Sequence, residues 1–262
     1  MNLEERHKRI ALPCVRIRAK RAGGSGTIIY SREGSTYVLT NHHVVADCIT
    51  IENRWSTLIK KERKMDVFEI VDTHLFGYRY ESRAIGGTTI QSDIMAYDPQ
   101  EDLALLKLRT DEVFPAVAKL YPRGKESDLR IGMKVITVGA GLGAAPVQTE
   151  GILSQFGQEI DRREYWLNTA PSIFGNSGGA MFLKETYELL GVPARIAVSM
   201  SGFSADPITH LSFAIPITRI YNFLEEQKFR FVYDDEYTEK GEADLREEIR
   251  TREEKKQAEA DS

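Results

Sequence analysis

Three short stretches of the chain carry residues able to do chemistry together: Thr40-Asn41-His42-His43-Val44-Val45, Asp102-Leu103-Ala104-Leu105-Leu106, and Phe174-Gly175-Asn176-Ser177-Gly178-Gly179-Ala180. A serine hydroxyl is a poor nucleophile at neutral pH. It needs an imidazole to take its proton during attack and a carboxylate to hold that imidazole in the right tautomer. Ser177, His43 and Asp102 supply those three groups. The glycines around the serine matter equally, because the backbone N–H groups of Gly175 and Ser177 must both face a developing oxyanion, with Asn176 in the same turn. Read alone, Gly-Asn-Ser-Gly-Gly is also an ordinary glycine-rich turn. The order histidine, aspartate, serine along one chain is what separates the two readings.

Elements must hold these groups rigidly. His43 follows Tyr37-Val38-Leu39-Thr40, which reads as a strand, and Asp102 precedes the apolar run from Leu103 to Leu108, so both are expected at strand edges. If the backbone at His42 and His43 is extended, the two side chains point to opposite faces and only one reaches the serine; the residues alone do not say which. Asp102 is preferred over Asp98, Asp93 and Asp47. An apolar run follows it directly, whereas Asp98 precedes Pro99 in a turn and Asp47 is too close to His43 in sequence to reach back. Gly139-Ala140-Gly141-Leu142-Gly143 lacks the Lys-Ser/Thr of a phosphate loop and reads as a surface turn.

Around these segments, residues 3–10 read as a short helix, and short apolar runs separated by turn residues continue to about residue 215, which predicts an all-β body. The stretch from Leu108 to Gly132 holds Pro115, Pro122 and Gly124 and reads as a linker. Ile217, Ile220, Tyr221 and Leu224 fall on one face of a short closing helix. Beyond Tyr233 the chain is rich in Glu, Lys and Arg and is expected to be disordered or a solvated helix.

The motifs resemble those of the trypsin-like peptidases, and within them the HtrA/DegP-like branch. Gly24-Ser25-Gly26-Thr27-Ile28-Ile29 is similar to the family's entry strand, and Val38 to Val45 to its histidine motif, in which the histidine directly precedes Val-Val; this selects His43. Asp98 to Leu108 resembles the aspartate motif, Arg130-Ile131-Gly132 with Val135 to Gly139 the start of a second barrel, Gly175 to Ala180 the serine motif, and Ser212-Phe213-Ala214-Ile215-Pro216 the strand beside the specificity pocket. The resemblance covers roughly residues 12–222. It implies two six-stranded antiparallel β-barrels packed together in the chymotrypsin manner, with residues 1–112 as the first barrel, 113–127 as linker, 128–233 as the second barrel with its closing helix, and 234–262 as the tail.

The resemblance also implies an activity: serine endopeptidase chemistry through His43, Asp102 and Ser177, an acyl-enzyme intermediate, and an oxyanion hole built from Gly175, Asn176 and Ser177, with no metal or organic cofactor. The alternative is a non-catalytic or assembly-regulated peptide-binding module on the same fold. The residue six before the serine sits at the pocket base in related enzymes. Here it is Pro171, flanked by Ala170 and Ser172, and without a carboxylate there a small or medium apolar substrate side chain is favoured. Met200, Ser201 and Gly202 are expected to form the strand that pairs with the substrate backbone. In the family the distance between histidine and aspartate is about half that seen here, so residues from Ser56 to about Ser92 look like an insertion. Only some forty residues follow Phe223, so no PDZ-like domain is expected after the barrels.

Composition narrows the remaining classes. The net charge is −4, but residues 234–262 hold twelve acidic and six basic side chains, leaving the body near +2. That gives no electrostatic case for nucleic acid or membrane; protein or peptide substrates are the expected partners, and the 56–92 segment or the acidic tail is a place for a regulatory partner or a second copy. Cys14 and Cys48 form no metal-ligand spacing or disulfide framework, the chain starts with the charged Asn2-Leu3-Glu4-Glu5-Arg6, and no run approaches a membrane span. These features predict a cytoplasmic setting with free thiols.

Overall fold

The structure is a computed structural model. It describes residues 2–57, 60–81, 83–201 and 204–260, and the side chains of these apart from residues 200, 201, 204, 205 and 257–260. In chain order, α1 (Leu3–Arg6) leads to β1 (Cys14–Arg18), β2 (Gly23–Arg32), β3 (Ser35–Thr40), the single-turn α2 (His42–Val45), β4 (Ile49–Ser56), β5 (Lys61–Phe68), β6 (Val71–Arg79), β7 (Arg83–Asp98) and β8 (Leu103–Leu108). Then follow β9 (Lys119–Leu120), β10 (Lys134–Gly139), β11 (Val147–Ile160), β12 (Arg163–Asn168), β13 (Ala180–Leu183), β14 (Glu188–Ser201), β15 (Ser204–Pro216), α3 (Ile217–Glu226) and α4 (Glu239–Ala260).

The first barrel is closed in the order β1-β2-β3-β8-β7-β6, with β1 pairing β6 to complete the ring. The nearly continuous burial of β3 and β8 has a simple cause. Side chains alternate along a strand, and here both faces are covered. Val38, Ala104 and Leu106 pack with Val15, Ile17, Ile28 and Val45 in one cluster, while Tyr37, Leu39, Leu103 and Leu105 join the large cluster shared with the second half of the molecule.

The second sheet runs β13-β10-β11-β12-β15-β14, and an additional β13–β14 pairing closes it into a ring, with β9 added parallel to β14. Two packed six-stranded barrels are therefore present. α3 closes the second with Ile217, Ile220, Tyr221, Phe223 and Leu224 buried. Burying side chains of this size contributes about 1.5–3 kcal/mol each.

Two features differ from the sequence reading. Residues 56–92 are not one insertion: β6 and most of β7 are walls of the first barrel, and only the β4–β5 hairpin forms a separate two-stranded sheet. The barrel needs six strands, and the chain between His43 and Asp102 must supply two of them. The tail is also not free. α4 lies against the first barrel and the β4–β5 hairpin through polar contacts: Glu239 accepts from Tyr37 Oη at 2.7 Å and Lys107 Nζ at 2.6 Å in the barrel, and Glu254 bridges Arg63 at 2.5 Å and Ser56 at 3.2 Å on the hairpin. Arg246 stacks its guanidinium 4.0 Å from the centre of the Phe229 ring. Apolar content alone does not reveal such docking, since it rests on paired charges.

Candidate active site

His43 lies on the one-turn helix α2 rather than on a strand. Val44 and Val45 on the same turn are buried and pin it to the core of the first barrel. On a helical turn His42 and His43 diverge by about 100°, and His42 turns away to stack on Tyr97, with ring centres 5.5 Å apart and planes tilted by 20°. Burial pushes the His42 imidazole below the ordinary histidine value, which favours its neutral form. The choice between the histidines therefore rests on helical divergence, not on strand alternation.

Asp102 faces His43 from the turn before β8. Its carboxylate accepts from His43 Nδ1 at 2.9 and 3.0 Å and from the His43 main-chain N–H at 3.0 Å. The Asp102 backbone is left-handed, with φ 54°, a conformation aspartate tolerates better than most residues. Asn41 Nδ2 donates to the Asp102 carbonyl at 2.8 Å and fixes it there. The competing carboxylates are occupied elsewhere: Asp98 caps the N–H groups of Gln100 and Glu101, Asp47 accepts from those of Arg21 and Ala22, and Asp93 holds Arg109.

Ser177 sits on the loop before β13, where Gly175 and Gly178 have φ 97° and 83°. A Cβ on Gly178 would lie 2.2 Å from the Ser25 carbonyl, so glycine is required. Among the described residues, the N–H groups of Asn176, Gly178 and Gly179 donate to Ile173, Pro193 and Asn176, whereas those of Gly175 and Ser177 have no protein acceptor. Two free N–H groups thus flank the serine. The Asn176 main-chain N–H, by contrast, is engaged in the turn by the Ile173 carbonyl at 3.1 Å. The Ser177 hydroxyl contacts the Ala194 carbonyl at 3.5 Å and lines the same cavity as His43.

Ser25 joins the two barrels at this point, a role not visible in its motif. Its N–H donates to the Ser177 carbonyl at 2.8 Å, its hydroxyl donates to the Gly175 carbonyl at 2.6 Å and accepts from Ala140 N–H at 2.7 Å, and its carbonyl accepts from Thr40 Oγ1 at 2.7 Å. A Cβ on the neighbouring Gly24 would lie 2.7 Å from Val44 and 2.8 Å from the Ser177 carbonyl. β2 thus passes between the histidine turn and the serine loop with no room to spare. The Gly141–Gly143 turn also belongs here, since Leu142 N–H donates to the Phe174 carbonyl at 2.9 Å.

The sequence pattern of the trypsin-like peptidase domain family matches residues 24–192. The chain belongs to this family. It is 30% identical over 197 residues to a probable periplasmic serine endoprotease DegP-like of Pseudomonas fluorescens, a match covering 74% of this chain and 32% of the relative. It is 28% identical over 214 residues to the serine protease Do-like HtrA of Lactococcus lactis, covering 78% of this chain and 44% of that protein. The chain therefore spans about a third to under half the length of these curated relatives. An HtrA-type protease solved with a tripeptide superposes with a TM-score of 0.62 at 21% identity, covering 87% of this chain and 64% of that one. A serine endoprotease from Yersinia pestis gives 0.58 at 21%, covering 88% and 67%. These neighbours share the chymotrypsin-like fold. The expected cytoplasmic setting is overturned by the relatives, several of which are named periplasmic; a scarcity of cysteines does not separate the two compartments. Among the described residues no helix is long and apolar enough to cross a membrane.

In this trypsin-like peptidase domain the cleft differs in detail from the sequence reading. A cavity of ≈ 440 Å³ opens beside Ser177, walled by Ile173, Phe174, Pro193, Ala194, Ile196 and Val198. Of the three residues expected at its base, Ser172 lines it, while Ala170 is buried and Pro171 is exposed on the surface. Met200 and Ser201 pair with Ala205 and Ser204 at the far tip of the β14–β15 hairpin, and Gly202 lies outside the described residues. The hairpin is longer than its sequence suggests, so the segment beside Ser177 is Pro193–Ile196, and it pairs with β15 on one side only. A second groove of ≈ 940 Å³ continues past His43, Ala194 and Arg195, with Arg162 and Arg163 on its rim.

Proposed function

We infer that this domain is a serine endopeptidase working through His43, Asp102 and Ser177. Ser177 Oγ attacks the carbonyl carbon of a peptide bond while His43 takes the hydroxyl proton. Asp102 holds His43 with Nδ1 protonated, which leaves Nε2 free as the base, and it stabilises the imidazolium that forms. The free N–H groups of Gly175 and Ser177 receive the negative charge on the tetrahedral oxygen. His43 then gives its proton to the leaving amine, an acyl-enzyme remains, and a water activated by His43 releases it. No metal or organic cofactor enters the sequence.

The observation that supports this most is the double contact between Asp102 and His43 Nδ1, made beside a serine flanked by two unengaged amides. The edge of β14 at Ala194–Ile196 suits an extended substrate, which adds as a further strand. The apolar walls, with no carboxylate lining them among the described residues, favour an uncharged side chain before the scissile bond, since a buried Lys or Arg would find no counter-charge there. Ser177→Ala and His43→Ala variants, assayed with a fluorogenic peptide, test the reading: both must lose turnover while keeping the thermal midpoint.

A second reading concerns control, and a chain of contacts favours it. Phe68 on the β4–β5 hairpin meets Tyr97 edge-on at 6.0 Å, Tyr97 Oη donates to Asp66 at 2.8 Å, and Tyr97 stacks on His42 next to the base. A regulatory partner or second copy seated on the hairpin would act on the His43 turn by this route. A module that only holds peptides would use the same edge, but it would have no need of the His43–Asp102 pair.

A further inference from the structure

We propose that Arg219 is a positioning residue for Asp102: from α3, at the close of the second barrel, it holds the turn that aims the Asp102 carboxylate at His43. The inference rests on the peptidase reading above and adds to it a residue that acts through another. Arg219 is 9% exposed and stands on a helix whose neighbouring Ile217, Ile220 and Tyr221 are buried, so the stem of its side chain is fixed. All three guanidinium nitrogens are engaged. Nε donates to the Glu101 carboxylate at 2.6 Å, Nη2 to the Glu101 main-chain carbonyl at 2.9 Å and Nη1 to the Glu164 carbonyl at 2.8 Å, with the group 5.1 Å from the centre of the Tyr165 ring.

The bond to the Glu101 carbonyl bears directly on Asp102. That carbonyl belongs to the peptide unit entering Asp102, and the Asp102 carbonyl to the unit leaving it; the orientations of the two units define φ and ψ of Asp102. Asn41 Nδ2 fixes the leaving unit at 2.8 Å, and Arg219 fixes the entering one. Asp102 needs both clamps, because its φ of 54° lies in the left-handed region, which is disfavoured for a residue with a side chain and persists where the surroundings impose it. One clamp comes from the turn beside His43 and the other from the opposite barrel.

The Glu101 side chain strengthens the grip. Its other oxygen meets Arg163 Nη1 at 2.8 Å, and Arg163 Nη2 donates to Gln100 Oε1 at 2.7 Å, so two arginines of the second barrel hold the turn that leads into Asp102. A buried ion pair is a poor source of stability, since apolar side chains of similar volume often serve as well. What a planar guanidinium adds is direction, because one fork reaches a carboxylate and a main-chain carbonyl together. Arg163 also lines the ≈ 940 Å³ groove, so an effect on substrate binding is the competing explanation, and it is separable by kinetics.

Arg219→Met keeps an apolar stem beside Tyr165 and removes every donor. Steady-state hydrolysis of a fluorogenic peptide should show kcat lowered roughly ten- to hundredfold with KM changed by less than about threefold, as a displaced catalytic group requires. Glu242→Ala, which weakens the tail through other contacts, is the control for lost stability and should keep kcat. In Ser177→Ala protein labelled with nitrogen-15 histidine, the hydrogen-bonded Nδ1 proton of His43 should give an NMR signal that Arg219→Met abolishes or broadens. Arg219→Lys keeps a charge near Glu101 but cannot serve the carboxylate and both carbonyls from one planar group. Its kcat should fall between the other two, and it decides by the same criteria if the methionine variant does not fold, as thermal midpoints will show. A folded variant with unchanged kcat, whether or not KM rises, or an Nδ1 signal indifferent to Arg219, overturns the inference, while turnover itself upholds the peptidase reading. No turnover by the unaltered protein, with the Nδ1 signal still dependent on Arg219, removes the peptidase reading and keeps the positioning role.

Discussion

Replacing Glu242 with alanine should lower the stability of the whole protein, although Glu242 belongs to a segment that looks solvated in sequence. Glu242 is 3% exposed and accepts the Arg230 main-chain N–H at 2.8 Å, its Nε at 3.1 Å and its Nη2 at 2.6 Å. Alanine removes all three hydrogen bonds. The Arg230 side chain is 24% exposed and can turn to water, so the main-chain N–H is the group left stranded. The expected loss is about 2–3 kcal/mol. For a domain of this size that lowers the midpoint by roughly 5–10 °C. Burial alone would raise the Glu242 pKa, but the hydrogen bonds and charge of Arg230 outweigh it and hold the carboxyl below the usual range. The folded state therefore favours the ionised form. Its contribution is complete above the unfolded carboxyl value of about 4.3 and is lost as pH falls through the lower folded value. Scanning calorimetry at pH 7 and at about pH 3 should show the gap between the two proteins open at the first and narrowed at the second. Equal midpoints at pH 7 would refute the docked tail.

Further outcomes follow from the same contacts. Asp102→Asn, which places an amide against Nδ1 and favours the wrong tautomer, should cut kcat by on the order of 10⁴ with little change in KM, measured by steady-state hydrolysis. His42→Ala should keep kcat within about tenfold of the unaltered protein, against a loss on the order of 10⁴ or more for His43→Ala; equal losses would reverse the assignment. Cys14 and Cys48 are buried free thiols, and burial pushes the Cys14 thiol up to about 12. Iodoacetamide at pH 8 should therefore modify neither in the native protein and both after denaturation without reductant, as read by intact mass. Peptides with Lys or Arg before the cleaved bond should be poorer substrates than neutral ones in a library profile.

The segments proposed to be catalytic are legible because each is local: a histidine with two valines that anchor it, an aspartate leading a buried strand, a serine between glycines that permit positive φ. Their packing is not local. Ser25 reaches Gly175, Ala140 and Ser177 across more than a hundred residues of sequence, and nothing in Gly24-Ser25-Gly26 announces that its hydroxyl joins two barrels. The sequence reading places the substrate-pairing strand at Met200–Gly202, whereas the β14 segment that lines the cavity beside Ser177 is Pro193–Ile196, because the length of a hairpin depends on pairing register, which β-bulges at Pro193/Arg195 and Ile196/Ala197 shift. β6 and β7 resemble an insertion because their exposed ends dilute the alternation of their barrel-facing halves. Tail docking escapes a reading based on apolar periodicity since its contacts are carboxylates meeting Tyr37, Lys107, Arg230 and Arg63.

The central claim is that Ser177 is an activated nucleophile. Labelling of the folded protein with a fluorophosphonate probe, followed by peptide mapping, tests it most directly. The account predicts a single label on Ser177, absent in Ser177→Ala and strongly slowed in His43→Ala. A folded protein that takes no label, or takes it on a residue other than Ser177, would contradict it.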